Sequence, residues 1–439
     1  MKKILILGAG RSSSSAIRYL AINAASENWQ ISVADLDINL AKKQISGLDN
    51  CIAKELDISD TESLNLEISA HDIIISMLPA KFNFELIKTC ISYKKNVLTP
   101  SYQTDEIFSL DSFAKENNVL VLNEMGLDPG IDHMSAMQIL DNLRAKGALV
   151  KSFKSYTGGL VAPESDNNPW GYKFTWNPRN VILAGQGGAA KYLEDNQEKY
   201  IPYHKLFSRL EPIQVANTSY EGYANRNSLN YQNIYGLNNI QTLVRGTLRK
   251  KGFSAAWDCL VQLGMTDNSY TVNAKTLQEF TASFLPASDL SVKENLANYL
   301  KIDNKVIEKL AWLGLFEDIE IKQKNISPAK ILQNLLEEKW ALAKEDKDMI
   351  VMWHEMKYSL DAQEYRLESS LIVIGDDNVQ TAMAKTVGYP IAIATKLILQ
   401  GKLNITGVKL PVTKDIYQPI LEELKDFGIE FEEKNYSNT

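Results

Sequence analysis

Lys3-Ile4-Leu5-Ile6-Leu7-Gly8-Ala9-Gly10-Arg11-Ser12-Ser13 reads as a short buried strand that turns through a glycine-rich loop into a helix. The pattern is G-x-G-x-x-G with Ser13 in the third place, small enough for close packing of helix on strand. Gly8 lets the chain turn sharply, and Gly10 lets backbone N–H groups of the loop, Arg11 and Ser12 included, approach a pyrophosphate. An amphipathic helix over Ser14 to Asn23 and a second strand over Gln30 to Ala34 supply the required context. Asp35 closes that strand about 20 residues beyond the loop, where a carboxylate meets an adenosine ribose and repels a 2′-phosphate. That favours NAD. Arg11 is the cation placed to meet a 2′-phosphate, so NADP is the alternative.

Working outward, strand and helix texture keep alternating. Cys51 to Leu56 reads as a third strand with Asp57 at its end, in reach of an adenine, and Asp72 to Met77 as a fourth, followed by Leu78-Pro79. A helix over Phe84 to Ser92 precedes a fifth strand, Asn96 to Thr99, which runs into Pro100-Ser101-Tyr102; Val119 to Leu122 is the sixth. Six such strands with intervening helices predict an α/β fold, a Rossmann-like doubly wound parallel sheet. The next stretch is Asn123-Glu124-Met125-Gly126-Leu127-Asp128-Pro129-Gly130-Ile131-Asp132-His133. It leads into a helix over Met134 to Leu143, with Asp132 placed to cap the first turn. Ser76 to Pro79, Ser101-Tyr102 and Leu127 to Asp132 then share the carboxyl edge of the sheet, where they would line the nicotinamide half of a dinucleotide.

The 439 residues are 45% apolar and 23% charged, a globular composition, and the net charge of -7 with a pI near 5.4 argues against nucleic acid or an anionic membrane as partner. No apolar run reads as a bilayer span, and the N-terminus enters a strand without a signal peptide. Cys51, Cys90 and Cys259 are scattered, and His71, His133, His204 and His354 make no metal set. The expectation is a metal-free protein of a reducing cytoplasm.

After Gly147 the texture changes. Leu149 to Tyr156 alternates, and a polar segment from Ala162 to Trp176, rich in Pro, Gly, Asn and aromatic residues, reads as an ordered loop over a site. Strands return between Ile213 and Arg249, carrying Arg226, Arg245 and Arg249, which suit bidentate carboxylate binding or, equally, surface ion pairs. Phe253 to Trp340 is helical; Met349 to Met356 and Tyr365 to Ile374 are strands again; Thr381 to Gln400 reads as a buried helix interrupted at Gly388-Tyr389-Pro390. The domains expected are a dinucleotide-binding domain over 1–128, completed by 376–410; a mixed α+β substrate and dimerisation domain over 129–252 and 345–375; and a small all-α domain over 253–344.

Gly126-Leu127-Asp128-Pro129-Gly130-Ile131-Asp132-His133, Ser155-Tyr156-Thr157-Gly158-Gly159, Gly171-Tyr172-Lys173-Phe174 and Arg245-Gly246-Thr247-Leu248-Arg249 resemble the saccharopine dehydrogenase family, L-glutamate-forming type. Ala311 to Phe316 and Thr386 to Ala392 extend the likeness over nearly the whole chain. The resemblance implies a homodimer that oxidises saccharopine, a secondary amine bearing three carboxylates, to 2-aminoadipate 6-semialdehyde and glutamate. By it, Gly8 to Ser13, Ser76 to Pro79 and Leu127 to Met134 would hold the dinucleotide, with Gly130, Ile131 and Asp132 among them. Ser101, Tyr102, Asp128, Phe174, Arg226, Arg245, Thr247 and Arg249 would touch the substrate. Fungal members use NADP and carry an arginine-bearing sequence after the second strand. This chain has Ala34-Asp35-Leu36-Asp37 there, so NAD is expected. For proton transfer the candidates are Asp128, Lys173, Tyr102 and His133, with Asp128 and Lys173 favoured as catalytic and His133 read as structural. The alternatives are a related oxidoreductase of another amino-dicarboxylate or polyamine conjugate, or a non-catalytic NAD-binding regulator.

Overall fold

A computed structural model describes residues 1–183 and 188–437. The chain divides into two compact units, Met1–Leu149 with Leu371–Glu432, and Val150–Ser370 with the residues from Glu433 onward.

In the first unit the apolar runs are strands: β1 (Lys2–Leu7), β2 (Trp29–Asp35), β3 (Cys51–Glu55), β4 (Ile73–Ser76), β5 (Asn96–Leu98) and β6 (Leu120–Leu122). They lie parallel in the order β6-β5-β4-β1-β2-β3, so the direction of winding reverses between β1 and β4, beside the glycine loop. Among the described residues a seventh strand joins them: Gly407–Lys409 pairs with β6, Val408 opposite Val121. The six-strand expectation missed it because three residues carry no periodicity. Ile4, Ile6, Ile31, Val33, Ile73 and Ile75 are fully buried, as a strand covered on both faces requires.

Helix α1 (Ser14–Glu27) follows the glycine loop and packs against a helix from the far end of the chain, Ala382–Leu399. That helix is continuous through Gly388-Tyr389-Pro390, where an interruption was expected; Thr381 caps its start by accepting from the Ala384 N–H at 2.9 Å. Gly388 is the contact point. A Cβ there would lie 2.6 Å from the Ala16 backbone nitrogen, so only glycine lets the two helices approach this closely. By length and composition Ala382–Leu399 could cross a membrane, contrary to the expectation that no run reaches that length, but most of it is buried inside this unit.

In the second unit nine strands among the described residues form one mixed sheet, with Thr242–Lys250 at its centre. That strand runs antiparallel to Thr218–Ala224 and parallel to Leu149–Val161. Alternation puts Arg245, Thr247 and Arg249 on one face and Val244, Gly246 and Leu248 on the other. Val244 and Leu248 join a core with Tyr156, Leu160, Ile213, Val351 and Trp353. Gly246, between Arg245 and Thr247, has no side chain because the Tyr156 ring occupies its place: a Cβ would meet that ring at 2.3 Å.

After Val161 the chain is irregular as far as Trp176, apart from a short helical turn at Pro163–Ser165, and its aromatic side chains pack inward. Trp170, Tyr172 and Phe174 are buried, with ring centroids 5.2, 5.1 and 5.3 Å from that of Trp340. Three aromatic rings removed from water outweigh the polar residues between them. The helices from Phe253–Gln262 to Pro328–Lys339 build onto this same aromatic core and belong to the second unit; they are not set apart as a third.

Candidate active site

The glycine loop has the geometry of a phosphate cradle. Gly8 has φ +101°, and a Cβ on it would stand 3.0 Å from the Met77 carbonyl oxygen. Gly10 has no heavy atom within 4 Å of where a Cβ would project, so the space beside it is open. Ser13, fully buried, donates to the Gly10 carbonyl at 2.8 Å; Ser12 is half-buried and Arg11 exposed. Asp35 closes β2 and turns back to the loop, its carboxylate accepting from the Ala9 N–H at 2.7 Å and the Asp37 N–H at 3.0 Å. Asp57 is exposed, and the hydroxyl and amide of Ser59 hold its carboxyl below the usual carboxylate range.

Further along the same carboxyl edge, the Ser76 hydroxyl donates to Asn83 Oδ1 at 2.8 Å, and the Asn83 amide reaches Thr99 Oγ1 at 3.3 Å. All three are buried, so Ser76 is a link in an internal network and not a free hydroxyl at the edge. Leu78 is half-buried against the core, and Pro79 is exposed.

The turn after β6 is held by its own backbone. The Gly126 N–H donates to the Pro129 carbonyl at 3.0 Å, and the Ile131 N–H to the Gly126 carbonyl at 2.9 Å. Gly130 has φ +147°, and a Cβ there would fall 2.0 Å from the Gly126 oxygen; no other residue fits. The helix begins at Ile131, three residues earlier than expected, with Gly130 in the N-cap position. Asp132 does not cap from outside: it lies in the first turn and accepts from the Gly130 N–H at 2.6 Å. Leu127 and Ile131 are buried, leaving Asp128 as the half-exposed member of the turn. Tyr102 donates to Asp128 at 3.1 Å, and the amide of the half-buried Ser101 donates to Thr99 at 3.2 Å.

One residue of this turn was given no role in the sequence reading. Glu124, buried and at φ +59°, meets His133 Nε2 at 2.7 Å. An acid directly after an apolar strand was the available signal.

In the second unit, Lys173 is buried in an ion pair with Asp346, which also accepts from the Ala343 N–H at 2.7 Å. Phe174 is buried against Trp340, with ring centroids 5.3 Å apart. Arg245 stacks over Tyr231 with its guanidinium 4.2 Å from the ring centroid. Thr247 accepts from the Asn225 side-chain amide at 3.2 Å, and the exposed Arg226 sits just beyond Asn225 in a left-handed turn at φ +51°. Arg249 lies 5.1 and 5.4 Å from the ring centroids of Tyr172 and Phe253 and donates once, to the Leu248 carbonyl at 2.8 Å. Its Nε is buried with no partner among the described residues, an unmet donor on a desolvated cation. Burial pushes the Tyr172 phenol beside it above its ordinary range.

A doubly wound sheet with an open glycine cradle, an acid at the end of β2 and a Tyr–Asp pair at the carboxyl edge defines a Rossmann-type, nicotinamide-dinucleotide-binding oxidoreductase. Residues 4–122 match the family model of the saccharopine dehydrogenase NADP binding domain, and residues 126–429 that of the saccharopine dehydrogenase C-terminal domain. The chain is 32% identical to the saccharopine dehydrogenase [NADP(+), L-glutamate-forming] of Pyricularia oryzae, over 99% of each chain. It is 34% identical to the alpha-aminoadipic semialdehyde synthase of Arabidopsis thaliana, over 98% of this chain but only 44% of that longer protein. The solved apo saccharopine dehydrogenase (L-Glu forming) of Saccharomyces cerevisiae superposes with a TM-score of 0.89 at 32% identity, covering 99% of this chain and 100% of that one. This chain belongs to the saccharopine dehydrogenase family.

Proposed function

We propose that this protein is an oxidoreductase of lysine metabolism that interconverts saccharopine and water with 2-aminoadipate 6-semialdehyde and glutamate. The observation that carries the reading is Arg249, a buried guanidinium with an unmet Nε donor, flanked by aromatic rings. Such a group calls for a planar anion, and a substrate with three carboxylates supplies one. Arg245 and Thr247 share its face of the strand. The likeness to fungal relatives over nearly their full length does not favour another amino-dicarboxylate or a polyamine conjugate as substrate.

The dinucleotide, when bound, supplies the hydride acceptor; Gly8 to Ser13 would cradle its pyrophosphate. What this chain must do is bind, orient and move protons. Tyr102 and Asp128, joined by a hydrogen bond, present a phenol and a carboxylate at the sheet edge, where a proton can pass to or from the substrate nitrogen and the water that cleaves the imine. Lys173, already paired with Asp346, acts as a fixed cation and not as a mobile base.

For the cofactor, we infer that NAD is favoured. The relatives' names carry NADP, but here the second strand ends in Asp35 followed by Asp37, and a carboxylate at that place repels a 2′-phosphate. The resemblance also supports a homodimer, which sedimentation of the purified protein tests. Initial rates with saccharopine as the only amine substrate test the reaction, and parallel series with NAD and NADP test the cofactor. Turnover with a higher kcat/KM for NAD is expected. A higher value for NADP overturns the cofactor reading alone, and no turnover with either overturns the reaction.

A further inference from the structure

We propose that Glu124 and His133 are positioning residues that set the geometry of the Tyr102–Asp128 pair. The inference rests on the reaction proposed above. Glu124, two residues past β6, is 2% exposed, and His133, in the first turn of the helix that follows, 0%. Two ionisable side chains are a costly way to fill that space, and apolar residues would stabilise it at least as well. Glu124 also holds a left-handed backbone conformation, φ +59°, that L side chains rarely adopt. What the pair provides that apolar residues would not is a fixed set of directional bonds.

Those bonds close a ring. The Glu124 amide donates to the Ser101 carbonyl at 3.2 Å, and one Glu124 carboxylate oxygen accepts from the Gln103 N–H at 2.9 Å, so Tyr102 is gripped on both sides. The other oxygen meets His133 Nε2 at 2.7 Å. His133 Nδ1 stands 3.5 Å from Asp132, whose carboxylate accepts from the Gly130 N–H at 2.6 Å, two residues past Asp128. The Tyr102 hydroxyl then donates to Asp128 at 3.1 Å and completes the circuit. Glu124 and His133 therefore tie the segment bearing the phenol to the turn bearing the carboxylate. A displacement of about 1 Å between reacting groups is enough to cost roughly 100-fold in rate.

The test is a double-mutant cycle with Glu124→Gln and Asp128→Asn, read by steady-state kinetics with saccharopine and by dinucleotide titration of each full-length variant. Glu124→Gln alone is expected to lower kcat by about tenfold or more, with dinucleotide affinity within about twofold of the parent and the loss largely absent in the Asp128→Asn background. An unchanged kcat, or the same loss in both backgrounds, overturns the proposal. If Glu124→Gln fails to fold, His133→Gln enters the same cycle with the same expectations. A crystal structure of the variant judges the geometry without any turnover. The Tyr102–Asp128 separation should open beyond hydrogen-bond reach, and an unchanged separation overturns the proposal even if saccharopine proves not to be the substrate.

Discussion

Tyr102 and Asp128 hydrogen-bond across 3.1 Å although they follow different strands. They meet because β5 and β6 are parallel neighbours in register, Leu98 beside Leu122, so both chains leave the sheet at the same edge. A parallel sheet gathers chemistry in this way from positions scattered along the chain.

That pair carries the first expectation. Asp128→Asn keeps the shape of the side chain and removes its ability to take a proton, so kcat should fall by about 100-fold or more while dinucleotide affinity stays near the parent value. Tyr102→Phe should lose less, about tenfold. Steady-state kinetics with a separate binding titration decide it. An Asp128→Asn enzyme with parental kcat would remove the carboxylate from the mechanism.

Two glycines should respond in opposite ways. Gly10→Ala projects into open space, so its melting curve should match the parent, but dinucleotide affinity should drop at least roughly tenfold because the methyl occupies the phosphate cradle. Gly130→Ala drives a Cβ to 2.0 Å from the Gly126 oxygen at a φ of +147°, and should destabilise by about 3 kcal/mol or more. Urea unfolding beside fluorescence titration separates the two.

Arg249→Ala removes the buried guanidinium from between Tyr172 and Phe253. Loss of a desolvated carboxylate partner costs about 2 kcal/mol or more, so KM for saccharopine should rise at least roughly 30-fold with dinucleotide affinity unchanged. Arg249→Lys should recover little, because an ammonium can neither stack as a plane nor donate two parallel bonds. A KM within about threefold of the parent would make this arginine a packing residue.

Gly388→Val should lower stability by about 1–3 kcal/mol, since a side chain there collides with the Ala16 backbone. Thermal melting checks it, and a melting temperature equal to the parent's would mean that the two helices can slide apart without cost.

The buried parallel strands were plain in the sequence because each is a nearly unbroken apolar run, Ile4 to Leu7 or Ile73 to Ile75. The strand at Gly407–Lys409 had no such run and owes its place to β6 beside it. The inward packing of Trp170, Tyr172 and Phe174 was not legible because their partner, Trp340, lies far along the chain and local pattern cannot supply it. At the site, Asp35, Asp128 and Tyr102 could be picked out by position relative to strand ends. Glu124 could not, because its role depends on a left-handed φ and on a histidine that reaches it only once the following helix has formed. Lys173 was recognised as special, but the sequence gives no hint that Asp346 holds it.

The first unit is interrupted: its opening 149 residues and its closing segment, Leu371–Glu432, are separated by nearly all of the second. During synthesis β6 therefore emerges with one flank bare, and neither Gly407–Lys409 nor the helix that seats on Ala16 exists until most of the polypeptide has left the ribosome. At about 5–20 residues per second that wait lasts many seconds, time in which an unpaired edge is open to the wrong neighbour. Clipping a modest C-terminal stretch should thus disable the nucleotide-binding half, the part encoded first.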